Sequence, residues 1–300
     1  MQVSLSNAQH RVMADAKFFS RSGHKFFLAA TRLESFGTTL DFNEKLKLRR
    51  RLEDLKAAHT TGLVLTEGQS QPALDIVAAA GMVALVELTV GSADLGDPGR
   101  FAALLSRVAH AGNVYRSHPG LCGYVIDCQV EADTLAESPP HLVLKTVRRR
   151  LRALVRTLKQ RAPNALIAIK HRPATLALAL AEEDFLYCAT SPLQKGEVRP
   201  WIDGLHLLAG ARPVVVEFAQ ASPGQDEAVG EAFGAGAAGV VAPSVPAPPS
   251  RDWLGIRMLR PVDTMPFASL DGAGPRQPEN CPLVSVVKAA DARQRRDPGG

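Results

Sequence analysis

The feature that most constrains this chain is an alternation repeated along most of its length. A short, wholly apolar run is followed by an amphipathic stretch with helical spacing, and the pattern returns until eight apolar runs have passed. The runs lie at 26–31 (FFLAAT), 62–66 (GLVLT), 82–90 (MVALVELTV), 121–130 (LCGYVIDCQV), 165–170 (ALIAIK), 184–189 (DFLYCA), 213–218 (PVVVEF) and 238–242 (AGVVA). Helical spacing appears at 43–59, 73–80, 101–110, in an arginine-rich stretch that stops near Pro163, and at 176–181, 198–209 and 225–235. Gly81 closes the second of these in the usual C-cap position. Runs apolar throughout, rather than alternating, are expected of strands covered on both faces. Strands that alternate with helices imply parallel β/α architecture, and eight of them favour closure into a single (β/α)₈ TIM barrel over an open doubly wound sheet.

A length of 300 residues suits one such barrel or two ordinary domains, and 46% hydrophobic residues against 22% charged ones supply a full core. The expected organisation is an N-terminal extension over 1–22, the barrel over 23–244, and a linker and disordered tail over 245–300. That last stretch is rich in Pro, Gly and charge and holds one apolar run, at 282–287.

The net charge of +5 owes much to residues 145–161, where eight basic residues occur and no acidic ones. Leu144, Val147, Leu151, Leu154, Val155 and Leu158 recur there at three- and four-residue steps and mark one apolar face. The arginines then form a solvated outer face, or a patch for nucleic acid or anionic lipid. No interleaved aromatics support nucleic-acid binding. The aromatic content of 5% is also low for a site that stacks sugars.

Cys122, Cys128, Cys188 and Cys281 show no Cys-x-x-Cys pair and no zinc-like spacing with histidine, so buried free thiols, no metal and no cofactor are expected. No secretory leader is seen in residues 1–23, and no apolar run reaches the length of a membrane span. A cytoplasmic location follows as the expectation.

In barrels of this type function gathers at the C-terminal ends of the strands. The polar residues expected there are Glu34 after strand one, Glu67 after strand two, Asp127, Gln129 and Glu131 at strand four, Lys170, His171 and Arg172 at strand five, and Glu217 with Gln220 at strand seven. Glu217 stands out, because a carboxylate within VVVEF is costly to bury unless it is paired or functional. Glu131 and Glu217 come from opposite walls and could converge as the two carboxylates of glycoside hydrolysis. The basic run at strand five could bind an anionic substrate or pair with Glu217 or Asp127. The glycines of 234–239 (GAGAAG) match a dinucleotide fingerprint by letter, but they follow a helix and open a strand, the reverse of what the motif needs.

Several stretches, in order, resemble the retaining glycoside hydrolases with (β/α)₈ barrels (clan A, family-two-like). They resemble in particular the barrel module that precedes bacterial family-two glycosyltransferases. His24-Lys25-Phe26-Phe27-Leu28 is similar to the entry "G-K-x-F-F-L-x-G". Residues 61–65 resemble the second strand "N-T-V-R", 75–87 resemble "D-x-x-x-x-x-G-L-x-V-L-V", and Asp184-Phe185 matches the "D-F" that opens strand six. Residues 211–218 (ARPVVVEF) resemble "x-R-P-L-V-L-G-E-F-G", whose Glu is the family nucleophile. Residues 282–287 (PLVSVV) look like the start of a glycosyltransferase domain.

The resemblance implies carbohydrate or a glycoconjugate as the ligand, in bacterial polysaccharide metabolism, and a glycosyltransferase domain or protein as a further partner. Glu217 would be the nucleophile, Glu131 the acid/base, and configuration would be retained. The chain departs from the pattern in three places. The strand-four "G-N-E" reads Gln129-Val130-Glu131, the strand-two Arg is Val64, and position 219 is Ala. These departures imply an alternative, a catalytically degenerate barrel that binds sugar or a partner and assists a glycosyltransferase.

Overall fold

The computed structural model describes residues 11–33, 39–68, 71–129, 140–190, 193, 196–218 and 225–243, with side-chain surroundings in the fifth helix given from residue 144 onward. Its centre is a closed barrel of eight parallel strands. They are β4 (Leu28–Arg32), β5 (Gly62–Thr66), β6 (Val83–Gly91), β7 (Leu121–Gln129), β8 (Leu166–His171), β9 (Leu186–Thr190), β10 (Val214–Phe218) and β11 (Gly239–Ala242). Each neighbour along the chain is a neighbour in the wall, and β11 closes onto β4 through Gly239 opposite Leu28 and Ala242 opposite Thr31. The fold is therefore the single (β/α)₈ barrel that the eightfold alternation implies.

The intervening helices are α1 (Phe42–Ala57), α2 (Gln71–Ala79), α3 (Ser92–Gly96), α4 (Pro98–Tyr115), α5 (Pro140–Arg161), α6 (Val198–Ala209) and α7 (Gln225–Gly234). Local chemistry sets several of their ends. Asp41 caps α1 by accepting from the Glu44 N–H, and the Glu44 carboxylate accepts in return from the Asp41 N–H. Asp97 caps α4 by accepting from the Arg100 N–H, with Pro98 in the first turn, where its missing N–H costs nothing. Gly81, with φ of +77°, turns the chain from α2 towards β6. After β8 the expected α-helix at 176–181 is instead a 3₁₀ helix, Pro173–Leu178. Helix α3 is an addition that the apolar pattern does not announce.

The barrel interior is filled in steps of two residues along each strand, because side chains alternate between the two faces of a strand. Leu28, Ala30, Val83, Leu85, Leu166, Ala168 and Val215 share one buried interior cluster. Residues of opposite parity, such as Val86, Ile167 and Val216, join the two outer clusters beneath the helices. At Gly123 on β7 an added Cβ would fall on the Leu166 carbonyl, so only glycine admits this approach of β8.

The N-terminal residues form more than an extension. Strands β1 (Val12–Asp15), β2 (Phe18–Arg21) and β3 (His24–Phe26) make an antiparallel three-stranded sheet. Phe26 belongs to this sheet, and the first barrel strand starts two residues later than the sequence suggests. Val12 and Phe19 enter the interior cluster, and the Phe19 ring meets Phe185 edge-on at 5.5 Å between centroids. Phe185 precedes β9, so the small sheet closes the barrel at the N-terminal ends of its strands. Its turns are short, with Ala16 and Ser22 at positive φ, and no long apolar run advertises it. The tail over 245–300 lies outside the described residues.

Candidate active site

Two residues beyond the apolar filling, the odd-numbered barrel strands each present a charged residue inward: Arg32 on the first strand, Glu87 on the third, Lys170 on the fifth and Glu217 on the seventh. Four side chains from alternate strands is the way such barrels build one interior layer. Here the layer consists of two cations and two carboxylates. Glu87, Lys170 and Glu217 are 5%, 7% and 3% exposed, while the Arg32 side chain is 29% exposed and faces the mouth.

The four charges close on one another. Arg32 donates to both Glu87 oxygens, through Nη1 at 2.9 Å and Nη2 at 2.5 Å. Its Nε donates to Glu217 Oε1 at 2.6 Å. Lys170 Nζ lies 2.9 Å from Glu217 Oε2 and 3.4 Å from Glu87 Oε2. From the sixth strand, in the layer beneath, the Tyr187 hydroxyl donates to Glu217 Oε2 at 2.9 Å.

Electrostatics follow from this geometry. Burial alone would raise the Glu217 pKa, but hydrogen bonds and charge from Arg32 and Lys170 outweigh it, and the carboxyl is held below its usual range. Arg32 is desolvated too, yet the two glutamates hold it firmly protonated. Burial, followed by the Glu217 charge, pushes Tyr187 well up, so its hydroxyl stays a donor.

The basic run of strand five divides by parity. Lys170 points inward into the quartet. His171 points outward and is 1% exposed. Its Nε2 lies 3.1 Å from Glu183 Oε2, and its Nδ1 lies 3.3 Å from the Thr175 carbonyl. Glu183 also accepts from the Leu180 and Ile169 N–H groups at 2.6 and 3.1 Å. His171 thus ties down the turn after the strand and does not line the mouth, a correction to its expected place in the site. Arg172 lies at the rim, where Nη2 meets Asp127 Oδ1 at 3.0 Å and Nη1 donates to the Cys128 carbonyl. Gln129 donates to the other Asp127 oxygen at 3.3 Å.

Glu67 stands apart from the quartet, 3.5 Å from Arg107 Nε. Burial raises its pKa, against the opposing charges of Arg107 and His110. Glu34, Glu131 and Gln220 lie outside the described residues.

Arg32, Glu87 and Tyr187 escape the sequence reading. Glu87 carries the same signal as Glu217, a lone acid in an apolar strand (VALVELTV). Arg32 directly follows the first apolar run. Tyr187 gives no sign of its role, since an aromatic in a strand is ordinary core. Among the described residues no group of three or more His, Cys, Asp or Glu side chains is placed to hold a metal ion. Cys122, Cys128 and Cys188 are buried.

No protein-family model matches the sequence, and no curated protein matches it. Solved structures share the fold. A GH2 β-galacturonidase from Eisenbergiella tayi, bound to galacturonate, superposes with a TM-score of 0.59 at 14% identity, over 77% of this chain and 46% of that enzyme. Bacteroides uniformis β-glucuronidase 2, covalently bound to cyclophellitol-6-carboxylate aziridine, gives 0.60 at 15% identity, over 77% of this chain and 32% of that one. A β-glucuronidase from Ruminococcus gnavus gives 0.57 at 11% identity, over 77% of this chain and 45% of that enzyme. The chain spans less than half the length of these enzymes, and the likeness is one of barrel architecture.

Proposed function

We propose that this chain is a glycoside hydrolase-like barrel of bacterial polysaccharide or glycoconjugate metabolism that binds carbohydrate at its mouth without hydrolysing it. The observation that carries this reading is the Arg32 guanidinium lying 2.6 Å from Glu217 Oε1 while Glu217 is 3% exposed. A nucleophilic carboxylate must bring an oxygen to about 3 Å from the anomeric carbon. Here Arg32 lies on one oxygen, and Lys170 and Tyr187 hold the other. The position of the family nucleophile has become the centre of a charge-balanced plug. Val64 in place of the strand-two Arg, and the altered strand-four motif, point the same way. The rim above the plug, with Arg172, Asp127 and Gln129, supplies donors and acceptors suited to sugar hydroxyls, and a glycosyltransferase is the partner it would assist.

The test combines turnover and binding. Aryl β-glycosides, uronides included, should release no aglycone, and a 2-deoxy-2-fluoro glycoside should leave no adduct on Glu217. Titration with oligosaccharides should show binding that Arg172→Ala weakens. Turnover abolished by Glu217→Gln would overturn the proposal in favour of a retaining hydrolase.

That second reading has one observation on its side. Glu217 stands at the C-terminal end of the seventh strand and is held ionised, as a nucleophile must be. On this reading Arg32 swings away when sugar enters, and Glu131 serves as acid/base.

A further inference from the structure

Helices α4 and α5 lie side by side and run in the same direction. The Arg150 guanidinium, midway along α5, sits over the ring of Phe101 in the first turn of α4, at 5.1 Å from its centroid. Eleven residues further along both helices, Gly112 lies so close to Arg161 that a Cβ there would fall 2.8 Å from the Arg161 Cβ. The glycine lets the two helices approach.

Their sequences share one property. Residues 98–116 and 140–161 together hold eleven Lys and Arg and no Asp or Glu. Carboxylates from elsewhere answer only part of this charge. Glu67 faces Arg107, Glu182 is shared by Arg152 and Arg156, and Asp184 pairs with Lys159. Arg100, Arg116, Lys145, Arg148, Arg149 and Arg161 are exposed and have no ion-pair partner among the described residues.

We propose that this two-helix face docks on a membrane surface containing anionic phospholipid. Charge complementarity sets the class of partner, a dense array of phosphates. Shape selects the bilayer. Helix α5 is packed down along its length through Val147, Leu151, Leu154, Val155 and Leu158, and α4 lies beside it, so the pair presents one broad face rather than a single projecting helix shaped to a groove. Phe101 is half-buried beneath Arg150 and Tyr115 is buried, so among the described residues the pair exposes no Phe, Tyr or Trp ring for stacking single-stranded bases. A broad, cationic face packed onto a rigid barrel fits a planar sheet of headgroups. The contact is peripheral, and among the described residues no helix is long and apolar enough to cross a bilayer. The proposal does not depend on how the barrel mouth functions.

The test is co-sedimentation of the full chain with vesicles of phosphatidylcholine, with and without phosphatidylglycerol, at low and physiological salt. Binding is expected only with phosphatidylglycerol and should weaken as salt rises. The variant Lys145→Gln, Arg149→Gln, Arg161→Gln should lose roughly a hundredfold in affinity with an unchanged melting temperature. An equal change of net charge on exposed positions of α1, Lys47→Gln, Arg49→Gln, Arg50→Gln, should leave binding intact. Absence of binding at low salt, or equal loss in the α1 control, would overturn the proposal. Duplex DNA binding through the same three residues, with the vesicles ignored, would overturn it in favour of a nucleic-acid face.

Discussion

Arg32 and Glu217 meet at 2.6 Å inside the barrel, joining the first strand to the seventh past the one strand between them. The same guanidinium holds Glu87 on the third strand, and Lys170 on the fifth strand completes the ring. One layer of the barrel is therefore filled by charge, where the layers beneath it are filled mainly by Leu, Ala and Val, with the Tyr187 and Phe185 rings among them.

Removing one member of this ring leaves buried charge without its partner. Lys170→Met should cost about 3 kcal/mol, in the range for breaking a buried pair. Adding Glu217→Leu in the same chain should recover part of that loss, because the second change removes the stranded carboxylate. Urea denaturation of the two single variants and the double variant measures this. Simple additivity would show that the two groups do not act together.

The pH dependence of stability follows from Glu217. Its pKa in the folded chain is depressed below the usual value of 4.5. A depressed carboxylate contributes stability that is present above the unfolded value and is lost as pH falls through the folded one. Thermal melts should therefore hold level above pH 4.5 with respect to this group and decline below it. The decline should be shallower in Glu217→Gln.

Glu183 is 2% exposed and accepts from His171, Leu180 and Ile169. Glu183→Ala strands those buried donors and should cost roughly 3 kcal/mol. The turn after β8 should open first, with faster amide exchange over 173–178. Carbohydrate binding at the mouth should change little, since His171 and Glu183 lie on the outer side of the wall.

The N-terminal sheet makes a stability prediction of its own. Phe19 is 1% exposed and meets Phe185 beneath the barrel. Phe19→Ala should destabilise by about 3–5 kcal/mol, as for other buried rings. A loss below 1 kcal/mol in chemical denaturation would mean that the sheet does not close the barrel.

The sequence alone determined the barrel, because each barrel strand and most helices announce themselves locally. An unbroken apolar run such as LIAI has no solvent face, so it must be covered on both sides. The C-cap glycine Gly81 marks where the second helix ends, whatever lies around it. It also exposed Glu217, since one acid within VVVEF demands a reason. The tertiary structure alone decided which charges meet. Arg32, Glu87, Lys170 and Glu217 are far apart in the chain, and only barrel closure with its particular register brings odd strands to one level. That register also turned Lys170 inward and His171 outward, a choice of side that adjacent letters cannot reveal. The N-terminal sheet belongs to the same category, for its short strands are stabilised by the barrel floor they cover rather than by any pattern of their own.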